Sequence, residues 1–241
     1  VTESYYAGVY WGARKESAEE CARRLQVLLE RLPAVDSSLA HWFQQGKSRA
    51  EALKRPLLPQ LAELEPFVLR SKDRVVDELG FSIAGWNGAS ADDETTSFLI
   101  ACGGHSEWVG NRCVYTLPSR GPSLERLLSE PTPSALLRHT AVAWEPDWGV
   151  AISEQHRDLQ KPHRPKGAPY VGWVTYLARH RGTVPPLPAP VRVETVEGKG
   201  TLIVLTPERF TVSNPEHVAL VEQVQALLDQ AGLLKPLSGQ P

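Results

Sequence analysis

The spacing of apolar positions changes along this chain, and each change marks an element. Ser4 to Trp11 is aromatic and β-branched and reads as a strand. Ser17 and Glu20 then have the spacing of a capping box. Behind them Ala18, Cys21, Ala22, Leu25, Leu28, Leu29 and Leu32 recur at helical intervals until Pro33 stops the run. Short helices are predicted over 37–43 and 48–54, with a turn at Gly46. A longer helix, about Pro59 to Ser71, would turn Leu61, Leu64, Val68 and Leu69 inward. Pro66 should kink or break it, because proline lacks the N–H that the helical ladder needs.

Period two then takes over. Phe81, Ile83 and Gly85 alternate with Ser82, Ala84 and Trp86, and further strands are predicted over 95–102 and 112–117. These three read as an antiparallel meander with an acidic loop at 87–94. Helices are predicted over 123–129 and 134–144, and strands over 148–152 and 170–177. Val184 to Pro190 is proline-rich and reads as an extended connector. A hairpin over 191–196 and 201–205 precedes a well-marked helix, with Asn214 as N-cap, Pro215 at its first position and Gly232 as its stop. The expected fold is α+β over a single domain, 1–241. It has one mostly antiparallel sheet of about six strands flanked by helices, opened by an N-terminal strand and a helical segment and closed by a hairpin and helix.

The chain is long enough to bury a substantial core, with 241 residues of which 41% are hydrophobic. Its apolar runs are far shorter than the ~20 residues of a membrane helix. The N-terminal residues lack the basic and apolar regions of a signal peptide. Three cysteines, Cys21, Cys102 and Cys113, are too few and too odd in number for a disulfide scaffold. They point to a reducing, cytoplasmic compartment. The net charge of -2 says little, but its distribution says more. Asp77 to Asn111 holds Asp77, Glu78, Asp92, Asp93, Glu94 and Glu107 without one Lys or Arg. Gln155 to Arg181 is the reverse: Arg157, Lys161, Arg164, Lys166, Arg179 and Arg181 face only Asp158.

Motifs that would mark an enzyme fail one by one. Gly46-Lys47-Ser48 ends like a P-loop, but His41 stands where the first glycine of that motif belongs. Pro146-Asp147 and Glu197-x-Lys199 loosely imitate a metal-dependent nuclease signature, with the second pair in a hairpin turn. Cys102, His105 and Cys113 offer three zinc ligand types and no fourth. There is no G-x-S-x-G elbow. No metal or cofactor is therefore expected. Aromatic residues interleaved in the basic segment would suit nucleic acid, yet a pI near 6.4 argues against it.

Four tryptophans sit beside glycine, in Trp11-Gly12, Gly85-Trp86, Trp148-Gly149 and Gly172-Trp173. The blocks holding them are Tyr5-Tyr6-Ala7-Gly8-Val9-Tyr10-Trp11-Gly12-Ala13-Arg14-Lys15-Glu16-Ser17, Gly80-Phe81-Ser82-Ile83-Ala84-Gly85-Trp86-Asn87-Gly88, Trp144-Glu145-Pro146-Asp147-Trp148-Gly149, and Gly172-Trp173. In this order and spacing they resemble the immunity protein 52 family of bacterial polymorphic-toxin systems. The resemblance covers nearly the whole chain. It implies a non-enzymatic cytoplasmic inhibitor of a cognate toxin, often a restriction-endonuclease-like nuclease delivered by type VI or related secretion. It supplies no catalytic residues.

Because a nuclease cleft is basic, an inhibitor can mimic the polyanion it binds. On that reasoning the toxin-binding candidates are Asp92, Asp93, Glu94 and Glu107, with Trp86 and Trp108 as aromatic anchors. The alternative is a metal-dependent hydrolase or nuclease whose site is assembled from distant residues. A third reading is a scaffolding module.

Overall fold

The structure, a computed structural model, describes residues 2–237. Its centre is one antiparallel sheet of eight strands. They are β1 (Tyr5–Trp11), β2 (Phe81–Trp86), β3 (Ser97–Cys102), β4 (Asn111–Thr116), β5 (Trp148–Ser153), β6 (Val174–Ala178), β7 (Arg192–Val196) and β8 (Gly200–Val204). The spatial order is β2-β3-β4-β1-β5-β6-β8-β7. The expectation of about six strands was too low, because β5 and the C-terminal hairpin β7–β8 join the same sheet as the meander. The N-terminal strand lies in the middle and ties the two halves together, pairing with β4 on one side and β5 on the other.

Among the described residues seven α-helices surround the sheet: α1 (Ala18–Arg31), α2 (Arg49–Ala52), α3 (Leu61–Arg70), α4 (Pro122–Leu127), α5 (Thr132–Trp144), α6 (Glu154–Gln160) and α7 (Pro215–Gln230). The capping box at α1 forms as expected, with Ser17 Oγ accepting from Glu20 N and the Glu20 carboxylate accepting from Ser17 N. Asn214 caps α7 and Pro215 opens it. Residues 37–43 form only a short 3-10 turn, Ser37–Leu39. Pro66 neither breaks nor splits α3. The carbonyl it leaves unbonded belongs to Ala62, which is exposed, so water can satisfy it. Leu69, expected inward, is exposed.

Residues paired directly across strands share a face of the sheet. One face carries Ile83, Ile100, Cys113, Val9, Tyr176 and Leu202 in a single row, all buried. Helices α1 and α5 lie over it. Trp11 stacks on Trp144 of α5, with ring centroids 5.4 Å apart, and Tyr115 Oη meets Thr140 Oγ1 at 2.9 Å. Gly85 fits because the Phe98 ring lies where its Cβ would be.

The other face is divided. Its middle row runs Ala84, Leu99, Val114, Gly8, Val150, Thr175, Ile203, Val193. Val150, Thr175 and Ile203 are fully buried, on the side where α6 packs on β5 and Gly172 of the 161–173 connector lies against Val150. Phe210 is sandwiched there between His156 of α6 and His217 of α7. On the β2–β3–β4 side the row is more open: Leu99 is 43% exposed, and Ala84 and Val114 are half-buried. All three cysteines are free and buried.

Candidate functional site

The sequence-selected residues lie at two ends of the meander. Trp86, Asp92, Asp93 and Glu94 sit in or beside the β2–β3 loop, whereas Glu107 and Trp108 sit in the β3–β4 loop. One full strand separates them, a span of about 17 Å at the usual rise per residue. They therefore form two clusters rather than one patch.

The first cluster is acidic in sequence but not in space. Asp92 and Asp93 open a 3-10 turn that closes against α2 and the β4–α4 connection. Arg49 donates to Asp92 Oδ1 at 2.6 Å and also to the Ala89 carbonyl. Arg120 pairs with Asp93, and its hydrogen bond holds that carboxyl below the ordinary carboxylate range. The side chain of Glu94 fills the space above Gly121. Trp86 is held between Phe43, at 6.1 Å between ring centroids, and the Arg49 guanidinium at 5.6 Å. Arginines from distant parts of the chain thus answer the acid-only stretch. At the opposite end Glu107 is exposed and Trp108 is 70% exposed, with no aromatic stacking partner among the described residues.

Between these ends lies the uncovered half of the sheet. It opens into a groove of about 850 Å³ whose floor crosses β4, β1 and β5. Arg112, Tyr10 and Trp148 are one register row of that floor, and Thr116 and Tyr6 belong to another. Tyr10 stacks on Trp148 at 4.5 Å, and Trp148 meets Tyr170 edge-on at 6.3 Å. Gly8 makes this possible: a Cβ there would come within 2.8 Å of the Tyr10 hydroxyl. Burial pushes the Tyr6 phenol up to about 12, with Arg157, lying over the ring at 5.6 Å, pulling the other way. The Tyr10 phenol is raised further for the same reason. Lys166 and the exposed Val109 complete the rim.

Two signals in the sequence could have located this groove. Tyr6 and Tyr10 share the even parity of β1, and Arg112 and Val114 that of β4. What no local pattern could show is which half of the face α6 and α7 would leave open.

The nuclease-like residues do not converge. Asp147 Oδ2 accepts from Gly12 N at 3.0 Å and Oδ1 lies 2.7 Å from His180 Nε2. Lys199 pairs with Glu145 at 2.5 Å, while Glu197 reaches Arg31 at 3.2 Å. Glu145 belongs to a structural network in which Arg14 and Arg24 share the nearly buried Glu16. Arginine and lysine partners hold the carboxyl of Glu145 below its ordinary range, with the Lys199 hydrogen bond the largest cause. Among the described residues no three His, Cys, Asp or Glu side chains are grouped to hold a metal ion. Nor is any helix among them long and apolar enough to cross a membrane. In the basic segment, Arg164 is tied to Asp229 and Arg181 to main-chain carbonyls of Asp147, Leu233 and Lys235.

A search of curated proteins finds no match. Among solved structures, the T6SS protein PA0821 of Pseudomonas aeruginosa is similar, with a TM-score of 0.53 at 14% identity over 95% of this chain and 73% of that one. At that identity the likeness is one of fold. The sequence profile of immunity protein 52 matches residues 3–237, nearly the whole chain. With the sheet, its divided face and its scattered ion pairs in view, the chain belongs to the immunity protein 52 family.

Proposed function

We propose that this chain protects the bacterium that makes it by binding a cognate secreted toxin in the cytoplasm, and that it catalyses nothing itself. The observation that best supports the reading is the division of the second sheet face. A half-sheet lined by Tyr6, Tyr10, Leu99, Arg112 and Val114 stays open to a partner, beside a half sealed by the protein's own helices. Several carboxylates elsewhere are engaged in ion pairs that hold elements together, as Glu16 and Glu145 are.

The toxin is read as a restriction-endonuclease-like nuclease of a polymorphic-toxin system, on the strength of the family resemblance. Asp92, Asp93 and Glu94, with Trp86, are proposed as a secondary contact for its basic surface. Glu107 and Trp108 would serve at the other rim.

Titration of the purified toxin's activity with this protein tests the proposal. Inhibition should saturate at a fixed molar ratio and accompany a stable complex, and co-expression should restore growth. Inhibition that continues to rise with time at a small molar fraction of the protein would mean that it acts as an enzyme on the toxin or its product.

A further inference from the structure

We infer that the groove over β4, β1 and β5 takes an acidic, extended segment of the toxin, with carboxylates held by Arg112 and Lys166 and an apolar or aromatic side chain seated on Tyr10. This rests on the toxin-binding reading and specifies its chemistry.

The charge of the walls carries the inference. Arg112 stands exposed on the β4 side of the floor, in register with Tyr10. Lys166 stands on the opposite rim. Neither forms a salt bridge among the described residues, in a protein where most arginines do. Of the lining carboxylates, Glu3 is already engaged by Ser153 Oγ, Val212 N and the Tyr5 hydroxyl, which leaves Glu154. Arg157 is engaged with Asp158 and lies on Tyr6. Against the one uncommitted carboxylate, Glu154, the groove presents two uncommitted cations about a stacked aromatic floor, a positive balance complementary to carboxylates and to an apolar anchor between them.

Its dimensions suit a peptide segment. The floor crosses three strands at about 4.8 Å spacing, so a segment laid across them meets several side-chain positions. The volume lies within the roughly 300–1,000 Å³ range of sites that enclose most of a bound group. The consequence for mechanism is specific. A cationic groove does not fit the basic cleft of a nuclease, so the segment it grips lies outside that cleft. Inhibition then comes from the bulk of the protein placed beside the active site rather than from imitation of nucleic acid.

The test uses the full chain and its cognate toxin. A photo-crosslinking residue at Thr116, on the open side of the floor, is activated in the complex and the captured toxin segment is sequenced. Affinities are measured for wild type, Arg112→Glu, Lys166→Glu and the double variant. Crosslinks to a segment rich in Asp and Glu, with a loss of at least tenfold in affinity for the double variant and recovery when the segment's acids are changed to Lys, support the inference. Both cations are exposed, so unchanged melting curves would show that the variants fold. Crosslinks to a neutral or basic segment, or unchanged affinity of the double variant, overturn the groove's assigned partner while leaving toxin binding intact. Wild-type protein that inhibits the toxin without forming a complex overturns both.

Discussion

The two halves of the sheet's second face are built from the same kinds of strand and treated in opposite ways. Over β5, β6 and β8 the row Val150, Thr175, Ile203 is sealed, and Trp173 beside it donates its indole N–H to the Thr206 carbonyl at 2.9 Å. Over β3, β4 and β1 the same row continues as Leu99, Val114 and Gly8, with Leu99 open to solvent. The opposite face is buried along its middle row beneath both halves. The difference teaches that the open half is not a sheet that failed to pack. Its strands are anchored from behind by Trp11, Tyr115 and Phe98, so its front surface is free to vary without unfolding the protein.

Substitution in the sealed half should produce the largest effects on stability. Trp173→Ala is expected to cost about 3–5 kcal/mol, from lost burial and a cavity, read as a lower urea midpoint. Leu99→Ala on the open half should cost less than about 1 kcal/mol, because a half-exposed leucine leaves no cavity. Equal costs would mean that the two halves are not distinct.

Acid should also loosen the sealed half. Burial pushes the His156 imidazole down to about 4 from its ordinary 6.5. The unfolded chain then takes up a proton below about pH 6.5 that the folded chain refuses until about pH 4. The stability present above 6.5 is therefore lost as pH falls through that window, by about 2 kcal/mol between pH 7 and pH 5. His156→Phe, which can still stack on Phe210, should flatten that dependence in chemical denaturation. An unchanged slope would place the acid sensitivity elsewhere.

Next in size are effects on binding alone. Val114→Glu puts a charge of the occupant's own sign in the middle of the open row and should weaken toxin binding tenfold or more, about 1.4 kcal/mol, while the melting temperature moves little. Smaller still is reversal of Asp92, Asp93 and Glu94 to Lys. Arg49 and Arg120 already answer two of these carboxylates, so affinity should fall by only about threefold, with a weaker salt dependence. A larger loss than at Val114 would make the acidic end the principal contact.

Much of this architecture is written in local pattern. The capping box at Ser17, the cap and proline at 214–215 and the alternation of Phe81 to Trp86 all appear where spacing places them. The strand count fell short because β5, buried on both faces, and the β7–β8 hairpin join the same sheet as the meander, and local spacing shows where strands lie but not which of them pair. The site was harder for a different reason. A run of acids from Asp77 to Asn111 is visible in one dimension, but the arginines that answer it, Arg49 and Arg120, lie outside the run. Arg112 and Lys166, groove cations without a salt bridge among the described residues, are more than fifty residues apart and meet across a groove only because β1 lies between β4 and β5.

The central claim, that the partner docks on the open half of the sheet, is tested most directly by hydroxyl-radical footprinting of the protein alone and in complex with its toxin. Leu99, Trp108 and Val109 are exposed in the free protein, as are Val75 and Val193 away from the groove. The account predicts that Leu99, Trp108 and Val109 lose reactivity in the complex while Val75 and Val193 keep theirs. Protection of Val75 or Val193 with Leu99 and Trp108 unchanged would contradict it.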